Sequence, residues 1–313
     1  METPHTLAVA ETAALTRRVT VYSVAVALVL VAIKLAAWLV SGSVALLASL
    51  ADSGLDLLAS LGTFAAVRYA VAPPDPEHRF GHGKAEAFAS LVQAGLVFAS
   101  AALIGREAIG DLLNPHPLAD QTWAIAVMAA STVLTALLIA AQTRVLRQTA
   151  SVAVSGDRAH YAADLASNVI ALIGIGAAVW LGRNSLDAAA ALAIAALLLW
   201  GAVGVFREAS AQLMDHELPD AERTKIVRLM TEDPRLTDVH QLRTRASGPF
   251  VHMQMHVDLD PQLTLEAAHQ VIVAAEKRVL EVFPSADIII HADPRGRAEP
   301  HGGAFAEVHA SEG

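Results

Sequence analysis

The chain has 313 residues and a formal charge of −9, no cysteine, 54% hydrophobic against 17% charged residues, and a mean hydropathy of +0.46. That apolar excess points to a membrane protein. The missing cysteine excludes disulfides, thiolate metal sites and cysteine nucleophiles, and the acidic balance without a basic stripe excludes nucleic acid as a partner class.

Residues 1–16 are polar and acidic, lack a signal-peptide profile ahead of Arg17 and Arg18, and read as a disordered cytoplasmic tail. Six apolar stretches follow, at 19–41, 44–70, 85–110, 121–143, 159–181 and 186–206. Each is long enough to cross a hydrocarbon core of about 30 Å, which takes about 20 helical residues. Short connections with turn chemistry join them: SGS at 41–43, VAPPDPEHRFGHG at 71–83, DLLNPHPLAD at 111–120 and LGRNS at 181–185. An even number of spans puts both ends on one side. Arg17, Arg18, Arg68, Arg79, Lys84, Arg144, Arg147, Arg158 and Arg207 fall on that side, against Arg106 and Arg183 on the other, so both termini are expected in the cytoplasm.

Beyond the spans the pattern becomes soluble. The segment ELPDAERTKIVRLMTEDP predicts an amphipathic helix from near Pro219 to near Pro234. VHQLRTRAS and FVHMQMHVDLD alternate as strands, the second with Phe250, His252, Gln254, His256 and Asp258 on one face and Val251, Met253, Met255, Val257 and Leu259 on the other. Residues 264–283 predict a second helix and ADIIIHAD a last strand. The reading is therefore a membrane all-α bundle of six helices over residues 17–208, then a small cytoplasmic α+β domain of order αββαβ over 209–295 and a disordered tail over 296–313.

The chemistry lies in the spans. An ionisable side chain within a membrane helix is costly and faces a cavity, a partner or an ion. Asp52 and Asp56 in SLADSGLDLL stand at i and i+4, one turn apart on one face, where two bare carboxylates repel. His160 and Asp164 in HYAAD repeat the spacing on the fifth span. Three carboxylates and one imidazole make a four-donor N/O set suited to tetrahedral Zn²⁺ or a similar first-row divalent ion. The bland alternative is that DxxxD merely pairs with Lys34 or marks a wet helix end; two such pairs on two spans weigh against it. Lys34 itself reads as snorkelling or pairing structurally. In the second loop Asp75, His78 and His82 lie in one short segment and form a second candidate site, against the plain reading of a polar loop.

The ordered set DSGLD, PDPEHRFGHGKAEA, HYAAD, VHQLRTRASGP and IIIHADP resembles the cation diffusion facilitator family, in particular its bacterial zinc and iron(II) efflux branch, over residues 17–295. The resemblance implies a homodimeric, proton-coupled exporter of divalent metal in the bacterial inner membrane, with a cytoplasmic metallochaperone-like domain. It implies that Asp52, Asp56, His160 and Asp164 form the transport site, with His160 favouring Zn²⁺ and Cd²⁺ while Fe²⁺ and Co²⁺ stay compatible. It also implies a loop site at Asp75, His78 and His82, a salt bridge from Lys84 to Asp215, and a dinuclear Zn²⁺ site at His240, His256, His269, His291 and Asp293. His252 is either a substitute ligand or a surface histidine, and His116, His301 and His309 carry no assigned role. Partners are thus metal ions, protons, the bilayer and a second copy.

Two other classes share the quartet. A metalloenzyme needs an open coordination position and a neighbouring base, and no HExxH-like unit is present. A metal channel or sensor stays open at this point, separated from a coupled transporter by whether a proton gradient alters flux.

Overall fold

The computed structural model describes residues 8–41, 44–113, 122–181 and 184–296. Six long helices come first: α1 (Val9–Ser41), α2 (Val44–Ala70), α3 (Ala85–Leu113), α4 (Thr122–Leu146), α5 (Val152–Leu181) and α6 (Asn184–Leu213). Among the described residues, α1, α2, α3, α4 and α6 are long and apolar enough to cross a membrane, and the 30-residue α5 packs among them against α3, α4 and α6. Their burial is inverted relative to a soluble bundle. Leu55, Leu58, Leu103, Leu137, Leu197 and Trp200 point outward, while Thr20, Ser23, Ser60, Thr63, Gln93, Gln142 and Asp157 are buried between helices. Lipid solvates apolar side chains, so polar groups must find one another inside.

Several boundaries differ from the sequence expectation. Helix α1 starts at Val9, so residues 9–16 are helical and not a disordered tail; AETAAL is a strong helix-forming run, and the Thr16 hydroxyl donates back to the Thr12 carbonyl at 2.8 Å. Helix α5 starts at Val152, seven residues before the expected 159, and α6 runs to Leu213 instead of 206. Charged residues ended the apolar windows, but backbone hydrogen bonding carries a helix past the membrane boundary. His116, His301 and His309 lie outside the described residues.

Helix α6 closes in a Schellman motif. The His216 amide bonds to the Ala211 carbonyl at 2.9 Å and that of Asp215 to the Gln212 carbonyl at 3.4 Å, with Asp215 at φ 55°. After it come α7 (Asp220–Met230), β1 (Asp238–Ser247), β2 (Phe250–Leu259), α8 (Leu265–Val282) and β3 (Ala286–Pro294). The sheet order is β1-β2-β3; β1 and β2 are antiparallel, and α8 crosses over so that β3 lies parallel to β2. Thr264 caps α8, accepting from the Ala267 amide at 3.2 Å. One sheet face packs Val251, Met253, Met255, Val257 and Leu259 against Ile226 and Met230 of α7, Val271, Ala275 and Val279 of α8, and Phe283.

The other sheet face is left open, and a bulge decides what it carries. Between the pairs His240–His256 and Arg243–Gln254, Gln241 and Leu242 stand opposite Met255, with Gln241 at φ 49°. The extra residue switches the alternation of β1. His240 therefore shares the open face with Arg243 and Arg245.

Candidate metal centres

The membrane centre is built by α2 and α5. His160 Nε2 lies 3.0 Å from Asp56 Oδ1 and 3.9 Å from Asp164 Oδ2, and the three residues present donor atoms all within 4.8 Å of one another. Asp56 and His160 are buried. Asp164 Oδ2 and His160 Nδ1 are buried without a hydrogen-bond partner. Such atoms are expensive in apolar surroundings unless something else engages them. Asp52 is the departure from the expected quartet: it stands one turn earlier on α2, exposed, and its carboxylate is outside the converging three. Four residues of rise displace it by about 6 Å along the helix axis.

The loop centre follows α2. Asp75 Oδ1 accepts the Glu77 and His78 amides at 2.9 and 2.6 Å, which folds the loop back on itself. The His78 amide bond chiefly holds the Asp75 carboxyl below the usual carboxylate range. His78 Nδ1 is 3.2 Å from Asp75 Oδ1, and His82 Nε2 is 3.2 Å from Asp75 Oδ2 but off hydrogen-bond alignment. His82 is buried against Tyr69, with ring centroids 4.3 Å apart.

The third centre lies on the open sheet face. His240, His256 and His291 occupy one row across the three strands. Asp293 serves all of them: Oδ2 is 2.8 Å from His256 Nδ1 and 3.3 Å from His240 Nε2, and Oδ1 is 3.3 Å from His291 Nε2. Burial pushes the Asp293 carboxyl up, but the His256 hydrogen bond and the neighbouring imidazoles outweigh it and hold the group low. A carboxylate with histidines on both oxygens suits a pair of divalent ions, so the donor set fits Zn²⁺. His269 stands exposed on α8, which packs on the opposite face of the sheet, and within one chain it lies apart from the cluster. His252 pairs with Asp287 at 3.2 Å and packs edge-on against Phe80, away from the row.

The transmembrane domain profile of the cation efflux family matches residues 20–214, and the profile of the cation efflux protein cytoplasmic domain matches 218–295. This chain belongs to the cation efflux family. The cation-efflux pump FieF of Salmonella arizonae is 40% identical over 280 residues, covering 90% of this chain and 93% of that protein. FieF of Salmonella schwarzengrund is 39% identical over 294 residues, covering 94% and 98%. A solved structure from work on the mode of action of a zinc transporter, CzrB, in its Zn form is 30% identical, covers 28% of this chain and 99% of its own, and has a TM-score of 0.26. As a cation efflux family member the protein is a homodimeric membrane transporter of divalent metal cations and not an enzyme.

In this efflux protein the domains meet at the second loop. Asp215, set by the Schellman turn, is 2.8 Å from Lys84 Nζ and 2.9 Å from Arg245 Nη1. Burial raises the Asp215 carboxyl, yet the Lys84 hydrogen bond and Arg245 charge prevail and keep it below the usual range. The β1–β2 turn, with Gly248 at φ 56°, seats against Gly83 so closely that neither has room for a Cβ.

One buried polar cluster has little local signal in the sequence. Asp157, fully buried one turn before His160, accepts from Gln93 Nε2 at 3.2 Å and Gln142 Nε2 at 2.8 Å. Gln142 Nε2 also reaches Ser23 Oγ, and Tyr161 shares a 2.8 Å hydrogen bond with Ser60. This polar layer ties α1 through α5 together beside the metal centre. Its only sequence signal was the 157, 160, 164 spacing on α5.

Proposed function

We propose that the protein is a proton-coupled antiporter that exports Zn²⁺, with Cd²⁺ and Fe²⁺ as further substrates, from the bacterial cytoplasm across the inner membrane by alternating access. The observation that carries the reading is the convergence of Asp56, His160 and Asp164 in the membrane with an unpartnered buried carboxylate oxygen. A mixed imidazole and carboxylate donor set suits Zn²⁺ and other borderline divalent ions better than the hard cations, which prefer oxygen alone. Metal and protons compete for the same lone pairs, so loading one expels the other. His160 is the natural carrier, since an imidazole titrates nearest to neutral pH.

Asp52 joins the coordination shell as the helices shift between inward and outward states, completing four donors. In the orientation that the Lys and Arg distribution favours, both termini and the αββαβ domain are cytoplasmic. Ions at the loop residues Asp75, His78 and His82, and at His240, His256, His291 and Asp293, would report cytoplasmic metal. Binding there would bias the transport equilibrium only by the difference in affinity between states. The clasp of Lys84, Asp215 and Arg245 is the physical link to the membrane helices.

Zinc-stimulated proton flux in proteoliposomes tests the proposal. Wild type should acidify or alkalinise the lumen according to the zinc gradient, and Asp52→Ala, Asp56→Ala or Asp164→Ala should abolish that flux. Zinc movement indifferent to a proton gradient would instead indicate a channel.

A further inference from the structure

Among the described residues Lys34 is the one lysine or arginine that is buried, at 9% exposure, and it sits within α1. A lysine in a membrane span usually extends its flexible stem toward the interface. Lys34 does not; Nζ is 2.6 Å from Ser53 Oγ and 3.1 Å from the Ser49 carbonyl, both on α2. Residues 49, 52, 53 and 56 follow i, i+3, i+4, i+7 spacing, so the two serines that anchor the ammonium share one face of α2 with Asp52 and Asp56. The charged groups acting on the ammonium are Asp56 and Asp52 from α2 and Asp164 from α5. The serines hold the cation beside these carboxylates without making it a direct ligand.

We propose that Lys34 is a tethered counter-cation of the transport site, and that it sets how readily bound metal leaves. Three carboxylates in a membrane interior carry a net charge that the bilayer disfavours when no metal is present. An ammonium held there by Ser49 and Ser53 offsets one of those charges when the site is empty. The same ammonium repels a bound divalent ion, because Coulomb interactions are strong where water is scarce. Affinity is thereby lowered to a level from which the ion can be released. An exporter gains from that weakening, whereas a storage site would lose by it.

The inference rests on Asp52, Asp56, His160 and Asp164 as the metal site, and the test separates the two. Zn²⁺ is titrated calorimetrically into the full-length protein in detergent at pH 8, where proton competition is least. Asp56→Ala should lose one class of Zn²⁺ binding while the loop and sheet centres still bind; unchanged binding there overturns the site itself. Lys34→Gln should bind Zn²⁺ about tenfold more tightly, the equivalent of roughly 1.4 kcal/mol, and turn over more slowly in proteoliposomes. Affinity equal to or weaker than wild type in Lys34→Gln, with Asp56→Ala still defective, overturns the role of Lys34 alone. Should Lys34→Gln not fold, Ser53→Ala decides: it frees the ammonium to pair with the aspartates and should weaken Zn²⁺ binding, and unchanged binding overturns the proposal.

Discussion

Gly83→Ala probes the contact between the membrane and tail domains with the smallest possible perturbation. A Cβ at this position would lie 2.0 Å from the Ser247 carbonyl oxygen, 2.6 Å from its carbon and 2.7 Å from its Oγ. The hydroxyl can rotate away, but the carbonyl cannot, because Ser247 is fixed in the β1–β2 hairpin opposite Phe250. Contacts of this kind essentially never fall below 3.0 Å, so the hairpin must withdraw by about 1 Å. That movement drags Arg245 from Asp215 and unseats Gly248. Overpacking costs typically about 1–3 kcal/mol. A loss of about 1–2 kcal/mol from the docked state corresponds to a roughly 5- to 30-fold drop in the docked population. Because the chain has no cysteine, spin labels at Glu77→Cys and Gln254→Cys are site-specific, and labelled chains diluted into unlabelled ones report the distance within one protomer. The Gly83→Ala variant should give a longer and broader distribution and slower zinc transport. Gly204→Ala, whose new Cβ meets no atom within 4 Å beyond its own turn of helix among the described residues, should match wild type. A Gly83→Ala distribution identical to wild type would refute the reasoning.

The selectivity argument predicts that His160→Asp, which turns the membrane donors into an all-carboxylate set, shifts transport from Zn²⁺ and Cd²⁺ toward Mn²⁺; an unchanged preference in competition flux assays would remove His160 from that role. The clasp has a defined pH window. Asp215 is depressed by Lys84 and Arg245, so its contribution is present above the ordinary carboxylate pKa of about 3.9 and lost as pH falls through the lower folded value. The labelled interdomain distance should therefore hold steady from neutral pH down to about 5 and lengthen below about 4, while Asp215→Asn is already loosened at neutral pH. Asp293→Ala should remove a class of Zn²⁺ sites in calorimetry of the full chain, since that carboxylate engages His240, His256 and His291, while leaving Asp56-dependent binding in place. Phe283→Ala, emptying a fully buried position between α8 and the sheet, should cost about 3–5 kcal/mol and lower the tail domain's unfolding temperature.

Local pattern made much of this protein legible. Span lengths follow from apolar runs, and the strands and helices of the tail follow from period-2 and helical spacing. The i, i+4 pairs Asp52–Asp56 and His160–Asp164 stood out because acids are costly in lipid. Lys34 was half legible: its sequence permitted snorkelling or pairing, and only the packing of α1 on α2 selects Ser53 as its partner. Asp157 is not legible, because a charged pair, Asp157–Arg158, reads locally as the end of a span, whereas α5 continues through it and buries Asp157.

The sequence by itself determined the solvent of each region, the element types and the residues able to bind a divalent ion. Periodicity and hydropathy are properties of neighbours along one chain, and they suffice for that. Only the tertiary structure decided that Asp56, His160 and Asp164 converge while Asp52 stands apart, and that Asp293 bridges three histidines while His269 lies across the sheet. Those outcomes depend on helix register, on the bulge at Gln241 that reverses the alternation of β1, and on the crossover that places β3 beside β2. Each is fixed by packing between residues distant in sequence, where no local period carries a signal.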